Sequence, residues 1–507
     1  MNMKTRMGPV VASLLLMFCV ALHAAEPAAA RRPNVIIILA DDLGYADVGF
    51  QGLGDLPTPN IDRLAQGGVR FSSGYVSWCA CAPSRAGIIT GRDSHRFGFY
   101  TNPTPVLAAD QGLPPGIMTV PRALQQLGYV TGGIGKWHLG ATADRHPNRM
   151  GFTEWFGFLG GGHDYFPWEY YGRKLPKRPW PEWFVNGTLP ILRNDEPVKA
   201  DRYLTDLFSD EAAAFIRRHA ATGPAQARQP FFLYLAYNAP HSPYEAPKDE
   251  EAKFDAQKMA HLDRIPAELR RTYVAMVSKL DQGVGQVLAA VHENQLDEQT
   301  LIFFLSDNGG GANSHDGRPG YPSSNHPLRG WKGTLYEGGI RVPFVASWKG
   351  TLPAGTTFAQ PVSAFDMGAT ALALAGGAPQ GMQLDGVNLL PHLTGQTQAA
   401  PHERLFWKEQ ARGAIREGRY KLLTGEKNAK RELYDLDADL AETKNIAAGN
   451  PDVVQRLDAR WQAWNKTMAP PLWQTPPQKE WAKPEFQPLP WPEENVAAAQ
   501  EKKPGSP

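Results

Sequence analysis

The chain predicts an α/β fold: a large domain with a central, largely parallel sheet flanked by helices, followed by a smaller C-terminal α+β domain. Three runs carry the prediction. Residues 34–40 (NVIIILA), 229–237 (QPFFLYLAY) and 300–305 (TLIFFL) are continuous apolar stretches rich in β-branched and aromatic residues. That is the pattern of strands buried on both faces. Helical spacing of apolar residues lies between and beside them, over 201–219 and 267–294, with another helix opening at 120–127. Strands alternating with helices argue a parallel sheet covered on its two faces.

Each buried run delivers polar residues at its C-terminal end. Asp41 and Asp42 follow the first, Asn238-Ala239-Pro240-His241 follows the second, and Ser306-Asp307-Asn308-Gly309 follows the third. In open α/β sheets that edge is where ligands bind. A hard divalent cation wants carboxylate and amide oxygens, which Asp41, Asp42, Asp307 and Asn308 supply. A single Asp-Asn pair after a strand reads as a turn or helix cap. Carboxylates gathered at neighbouring strand ends, with no basic residue beside them in sequence, are costly without a cation. No cysteine or paired-histidine spacing suits zinc, so calcium is the expected ion, with magnesium next.

The texture changes near 389–400 (LLPHLTGQTQAA), which closes a large domain expected over 33–395. Short strands are expected at 404–408, 413–416 and 419–423 and a helix at 451–465, forming the small domain over 400–466. Residues 467–507, rich in proline and tryptophan, read as extended chain on the surface with a disordered end from about residue 493.

Composition bounds the function. The 507 residues hold 42% apolar and 20% charged side chains, an ordinary globular balance. With 52 basic against 51 acidic residues the formal charge is +1, which points to neither nucleic acid nor an anionic membrane. At the N-terminus, Lys4 and Arg6 precede an apolar run over 10–22 and the small pair Ala24-Ala25. This predicts a signal peptide over 1–25 and an exported protein, periplasmic or extracellular, with no stable membrane span. Beyond Cys19 the cysteines are Cys79 and Cys81, too few and too close for a disulfide framework.

Cys81 opens the most informative segment, CAPSRAGIITGR over 81–92, which carries Arg85 four residues on. Further along, Gly135-Lys136-Trp137-His138-Leu139-Gly140 offers a lysine and a histidine two apart on a short extended or looped segment, facing the same way if it is extended. A phosphate-binding P-loop does not fit, because Val130 and Trp137 occupy positions that need glycine and Ser or Thr. His241 follows the second core strand, and Lys332 lies in Trp331-Lys332-Gly333-Thr334. Singly, such residues are surface lysines and structural histidines.

Together with ADDLGYADVG, NAPHSPY, LSDNGG and GWKGTLYEGGIRVP, in that family's order, these segments resemble the type I sulfatases from about residue 33 to residue 465. The resemblance implies an alkaline-phosphatase-like large domain and a formylglycine made from Cys81 by a formylglycine-generating enzyme. It implies one calcium ion held by Asp41, Asp42, Asp307, Asn308 and residue 81. Arg85, Lys136, Lys332, His138 and His241 would surround a sulfate and move protons. One departure stands out: Gly162-His163-Asp164 lacks the serine that some relatives carry before the His-Asp pair. The implied substrates are sulfate esters, chiefly of saccharides, and the aromatic and basic stretch 163–180 would wall a sugar ring or form a surface loop. The alternatives are a phosphonate or phosphate monoester hydrolase on the same scaffold, or a glycan-binding relative without turnover. Cys81 is expected to be reached by solvent.

Overall fold

The computed structural model describes residues 32–52, 54–103, 111–167, 191–220, 229–256, 266–311, 321–426 and 430–474. The expected signal peptide, residues 168–180 of the aromatic and basic stretch and the tail beyond 474 lie outside the described residues. Among the described residues no helix is long and apolar enough to cross a membrane.

Five parallel strands form the centre of a ten-stranded sheet among the described residues. In spatial order they are Thr300–Ser306, Asn34–Ala40, Phe231–Ala236, Val130–Lys136 and Glu154–Phe158. Antiparallel neighbours extend both sides, with Phe344–Ser347 beside Thr300–Ser306 and Ile191–Arg193 beside Glu154–Phe158. Successive side chains of a strand point to opposite faces. Val35, Ile37 and Leu39 accordingly join one apolar cluster, while Ile36, Ile38 and Ala40 join the other. Helices Leu204–Ala220 and Ala267–Glu293 cover the second face, and Cys81–Thr90 and Val120–Gln126 cover the first.

The three apolar runs are the three expected core strands: the first keeps its bounds, the second is shorter at both ends and the third runs one residue further. The other two central strands had no such signature. Val130–Lys136 reads VTGGIGK, and glycine in a strand normally weakens it. Here the glycines make room. A Cβ on Gly132 would lie 2.5 Å from the Phe215 ring and one on Gly133 2.7 Å from Trp155. Large aromatics therefore supply the apolar surface that the strand itself lacks.

The small domain is a four-stranded antiparallel sheet of Arg404–Glu409, Arg412–Glu417, Tyr420–Gly425 and Glu432–Asp435. The last strand, four residues long, was not expected from sequence. Helix Pro451–Asn465 packs Leu457 and Trp461 against Ile415, Leu422 and Leu433. A Cβ on Gly413 would lie 2.1 Å from the Trp461 ring, so the strand is flat where the indole lies on it. Trp407 of the same sheet belongs to the core of the large domain, and its indole N–H donates to the Val76 carbonyl at 2.8 Å.

Trp461 is fully buried, and its Nε1 donates to the Trp407 carbonyl at 2.9 Å. Trp461→Ala should cost about 3–5 kcal/mol of stability, read as a lowered denaturation midpoint. An unchanged midpoint would contradict this packing.

Candidate active site

The backbone ladder of the sheet runs on past the strands and fixes their ends. Asp307 N donates to the Ala40 carbonyl and Asp41 N to the Ala239 carbonyl, each at 3.0 Å. Asp42 then takes a left-handed conformation, φ 61°, and its N–H meets Asp307 Oδ1 at 3.2 Å. A non-glycine residue held in that region is a mark of functional sites. Asp41, Asp307 and Asn308 are wholly buried and Asp42 nearly so.

Cys81 is the first residue of helix Cys81–Thr90, preceded by extended Ala80. The Asn102 carboxamide accepts the Ala82 N–H at 3.0 Å, so a distant side chain caps this helix. Cys81 is only 1% exposed, which corrects the expectation of a solvent-reached residue. Its Sγ lies 3.9 Å from Asp42 Oδ1. Arg85, one turn further on the same helix face, reaches back across the strand ends. Its Nε donates to Asp307 Oδ2 at 2.9 Å, its Nη1 donates to the Lys136 carbonyl at 3.2 Å, and Nη2 stands 3.5 Å from Asp41 Oδ1.

The remaining basic groups come from three other segments. Lys136, last residue of its strand, places Nζ 2.6 Å from Asp41 Oδ2. Lys332 places Nζ 2.8 Å from Asp42, and His241 Nε2 stands 3.6 Å from the same carboxylate. The carboxylates that have no basic neighbour in sequence thus have four in space, Arg85, Lys136, Lys332 and His241. Of the two readings open for this segment, extended or looped, Lys136 ends a strand and His138 lies in the turn beyond it, in the left-handed region at φ 60°. Its ring lies over Gly161, where a Cβ would come within 2.6 Å of Nε2.

Electrostatics separates groups that sequence could not. Burial alone would raise the Cys81 thiol, but the ammoniums of Lys136 and Lys332 outweigh it and hold it at about 7. Cys79, two residues earlier, is pushed up by burial. Burial and the charges of Lys136, Arg85 and Lys332 drive His138 well below the usual imidazole range. Burial opposes the charge on His241, yet Asp41 and Asp42 raise it. Burial lifts the Asp307 carboxyl to about 6, with the Asp41 charge adding to it. Asp42 is lowered despite burial, chiefly by Lys332.

The donor set fits a hard cation. Asp41 Oδ1 and Asn308 Oδ1 are buried oxygen acceptors that receive no hydrogen bond. Ligand atoms of Asp41, Asp42, Cys81 and His241 all lie within 4.8 Å of one another. Asp307 falls outside that tightest group and is engaged by Arg85.

Several residues that shape the site carry no sequence signal of their own. The Tyr165 hydroxyl lies 2.6 Å from the Asn238 carbonyl and 2.8 Å from that of His241, a shared donor that fixes the turn bearing His241. Asn325 Oδ1 accepts the N–H groups of Tyr45 and Gly310, tying together the loops that follow Asp42 and Asn308. Gly162 is buried in the segment that follows the Glu154–Phe158 strand, beside a His163 whose Nδ1 meets the Asp164 carbonyl at 2.7 Å. A hydroxyl at position 162 is therefore absent from a buried place.

Comparison with known proteins agrees with this geometry. The sulfatase family model matches residues 33–378, and the model of the N-sulphoglucosamine sulphohydrolase C-terminal region matches 329–466, taking in Lys332 together with the small sheet. N-acetylgalactosamine-6-sulfatase of Canis lupus familiaris is 34% identical over 440 residues, 82% of this chain and 76% of the relative. Arylsulfatase A of Homo sapiens is 34% identical over 470 residues, 86% and 88% of the two chains. A crystal structure of Ps i-CgsB in complex with k-i-k-neocarrahexaose is similar at a TM-score of 0.77 and 35% identity, covering 89% of this chain and 97% of that one. Phosphonate monoester hydrolase of Agrobacterium radiobacter, 20% identical with a TM-score of 0.58 over 86% of this chain and 96% of that one, shares the fold alone. The relatives' reaction, the family model across the α/β domain and the cysteine at the strand edge coincide, and the chain belongs to the type I sulfatase family, enzymes that hydrolyse sulfate esters.

Proposed function

We propose that the chain is an exported saccharide sulfatase that works with one calcium ion and with residue 81 converted to formylglycine. One observation carries the reading. Cys81 opens a buried helix beside Asp42, in the field of Lys136 and Lys332, while neighbouring Cys79 lies in an environment that suppresses charge. A helix N-terminus and two ammoniums favour an anionic oxygen at that position and an anionic substrate in front of it.

Asp41, Asp42, Asp307 and Asn308, with residue 81, would hold the calcium. Calcium, when bound, supplies a double charge that polarises a sulfate oxygen and favours an ionised hydroxyl. Formylglycine, once its aldehyde has added water, would supply two hydroxyls on one carbon, one as the nucleophile toward sulfur and one whose proton would later leave. Arg85, Lys136 and Lys332 bind and orient the sulfate through charge-assisted hydrogen bonds. His241 Nδ1 is 2.6 Å from the Ser242 carbonyl, so it donates there and turns Nε2 toward the site. With Asp41 and Asp42 favouring its charged form, His241 carries the proton for the departing oxygen. His138, kept neutral by burial and the surrounding cations, takes a proton in the second half of the reaction. A sulfated saccharide as substrate is supported by the names of the relatives. Export is supported by the basic, apolar and small-residue order of the first 25 residues.

The first test is chemical. In active enzyme, the mass of the peptide containing residue 81 should show sulfur replaced by an aldehyde oxygen, and Cys81→Ala should abolish turnover without unfolding. Full activity from enzyme holding only unmodified Cys81 would overturn the proposal.

The metal is tested by removal. Asp307→Asn keeps the shape of the side chain and removes its charge, so bound calcium and activity should fall together. Chelator-treated wild-type enzyme should likewise lose activity and regain it better with calcium than with zinc. Normal turnover by verifiably calcium-free enzyme would end the four-ligand assignment.

The histidines should differ in leaving-group dependence. His241→Ala should lose much more activity on a sugar sulfate than on an activated aryl sulfate, whose phenolate departs unaided. His138→Ala should lose similarly on both. Equal sensitivity in the two variants would refute the division of labour.

A further inference from the structure

The Lys332 loop is gripped from the C-terminal sheet by a buried ion cluster. Glu337 is wholly buried and opens the short helix Glu337–Ile340 that closes this loop. Its Oε1 accepts from Lys421 Nζ at 2.8 Å, while Oε2 accepts from the Tyr75 hydroxyl at 2.7 Å and Arg341 Nη1 at 3.0 Å. The Glu337 N–H itself donates to Glu442 Oε2 at 2.7 Å, and Glu442 Oε1 stands 2.9 Å from Lys421 Nζ. Lys421 and Glu442 are both wholly buried, and Glu442 is held in the left-handed region at φ 52°. Two further clamps come from the same sheet. Arg329 donates to the Tyr434 hydroxyl and the Glu442 carbonyl, each at 3.0 Å, and the Tyr336 hydroxyl donates to Glu432 at 3.0 Å.

What this cluster holds lies against the strand-end groups. Gly309 N donates to the Gly339 carbonyl at 3.1 Å, and a Cβ on Gly309 would lie 1.8 Å from the Gly338 carbonyl oxygen. Lys332 N donates to the Gly310 carbonyl at 3.0 Å and Gly333 N to the Cys79 carbonyl at 2.7 Å. The Glu337–Ile340 turn thus touches the chain just after Asp307-Asn308, and the loop it closes touches the chain just before residue 81.

We infer that Lys421 and Glu442 are positioning residues of the reaction, which set the place of Lys332 Nζ beside Asp42 by clamping the side chain and N–H of Glu337. Neither touches substrate. The inference rests on the assignment of Lys332 to sulfate binding.

The test is a double-mutant cycle on matured enzyme with 4-nitrophenyl sulfate. Lys421→Met removes the charge and keeps the length of the side chain, and it should lower kcat/KM by about 10- to 100-fold, the scale of a displaced catalytic group. Lys332→Ala should lower it further. The double variant should be no worse than Lys332→Ala, because residues acting through one another are not additive. Fully multiplicative losses, or wild-type kcat/KM in folded Lys421→Met, would overturn the inference while an impaired Lys332→Ala leaves the assignment of Lys332 standing. Wild-type activity in Lys332→Ala would overturn that assignment and the inference with it. Should Lys421→Met not fold, Glu442→Gln keeps an acceptor for the Glu337 N–H and removes the charge. It should show a smaller loss than Glu442→Ala and no further loss on top of Lys332→Ala; equal losses in the two Glu442 variants, or multiplicative loss with Lys332→Ala, would overturn the inference.

Discussion

Charge compensation among buried groups is the constraint on which the rest of this structure depends. Asp41, Asp42 and Asp307 sit at strand ends inside the protein, where an unpaired carboxylate is strongly unfavourable. Arg85, Lys136 and Lys332 answer them, one from a helix, one from a strand and one from a loop. None can be supplied locally, so the helix on one face, the glycine-rich fourth strand and the Lys332 loop must all arrive at the same edge. Under the proposed function a divalent cation joins the carboxylates, which leaves the site as a whole cationic toward a sulfate ester.

That arrangement explains why two cysteines only two residues apart have opposite character. Cys79 lies in the apolar core of the large domain, and its carbonyl serves the backbone of the Lys332 loop. Cys81 begins a helix whose N-terminus faces the cations. The difference is one of backbone path: the chain passes from extended Ala80 into the helix, and the next side chain points into the site. Asn102 satisfies a backbone donor that the helix start leaves open.

The small C-terminal sheet shares a core with the large domain through Trp407 and shares buried charges with it through Lys421 and Glu442. It reads as part of the site's scaffold, because the loop that carries Lys332 is enclosed between the two. Buried ionic clusters add little to net stability compared with apolar packing, and in some proteins they serve instead to define geometry. Their place here, behind a loop that presents a cation, is where defined geometry is of use.

Much of the fold was legible in sequence because its three apolar strands and long helices carry their burial in their own composition. The polar residues at the ends of those strands, and the Cys81 segment, were legible for the same reason: each stands at a fixed offset from a local pattern. What sequence could not show is pairing at a distance. Val130–Lys136 is a strand only because Phe215 and Trp155 fill the space its glycines leave, and those rings come from a helix and another strand. His138 follows Lys136 through a left-handed turn, where spacing left an extended and a looped segment equally open. Asn102, Tyr165, Asn325 and the Lys421–Glu442 cluster reach their partners from 15 to 280 residues away. The sequence by itself determined which chemical groups are present and which strand ends carry them. Only the tertiary structure decided which charge answers which, because hydrogen bonds and ion pairs act over a few ångströms of space and are indifferent to the length of chain between their partners.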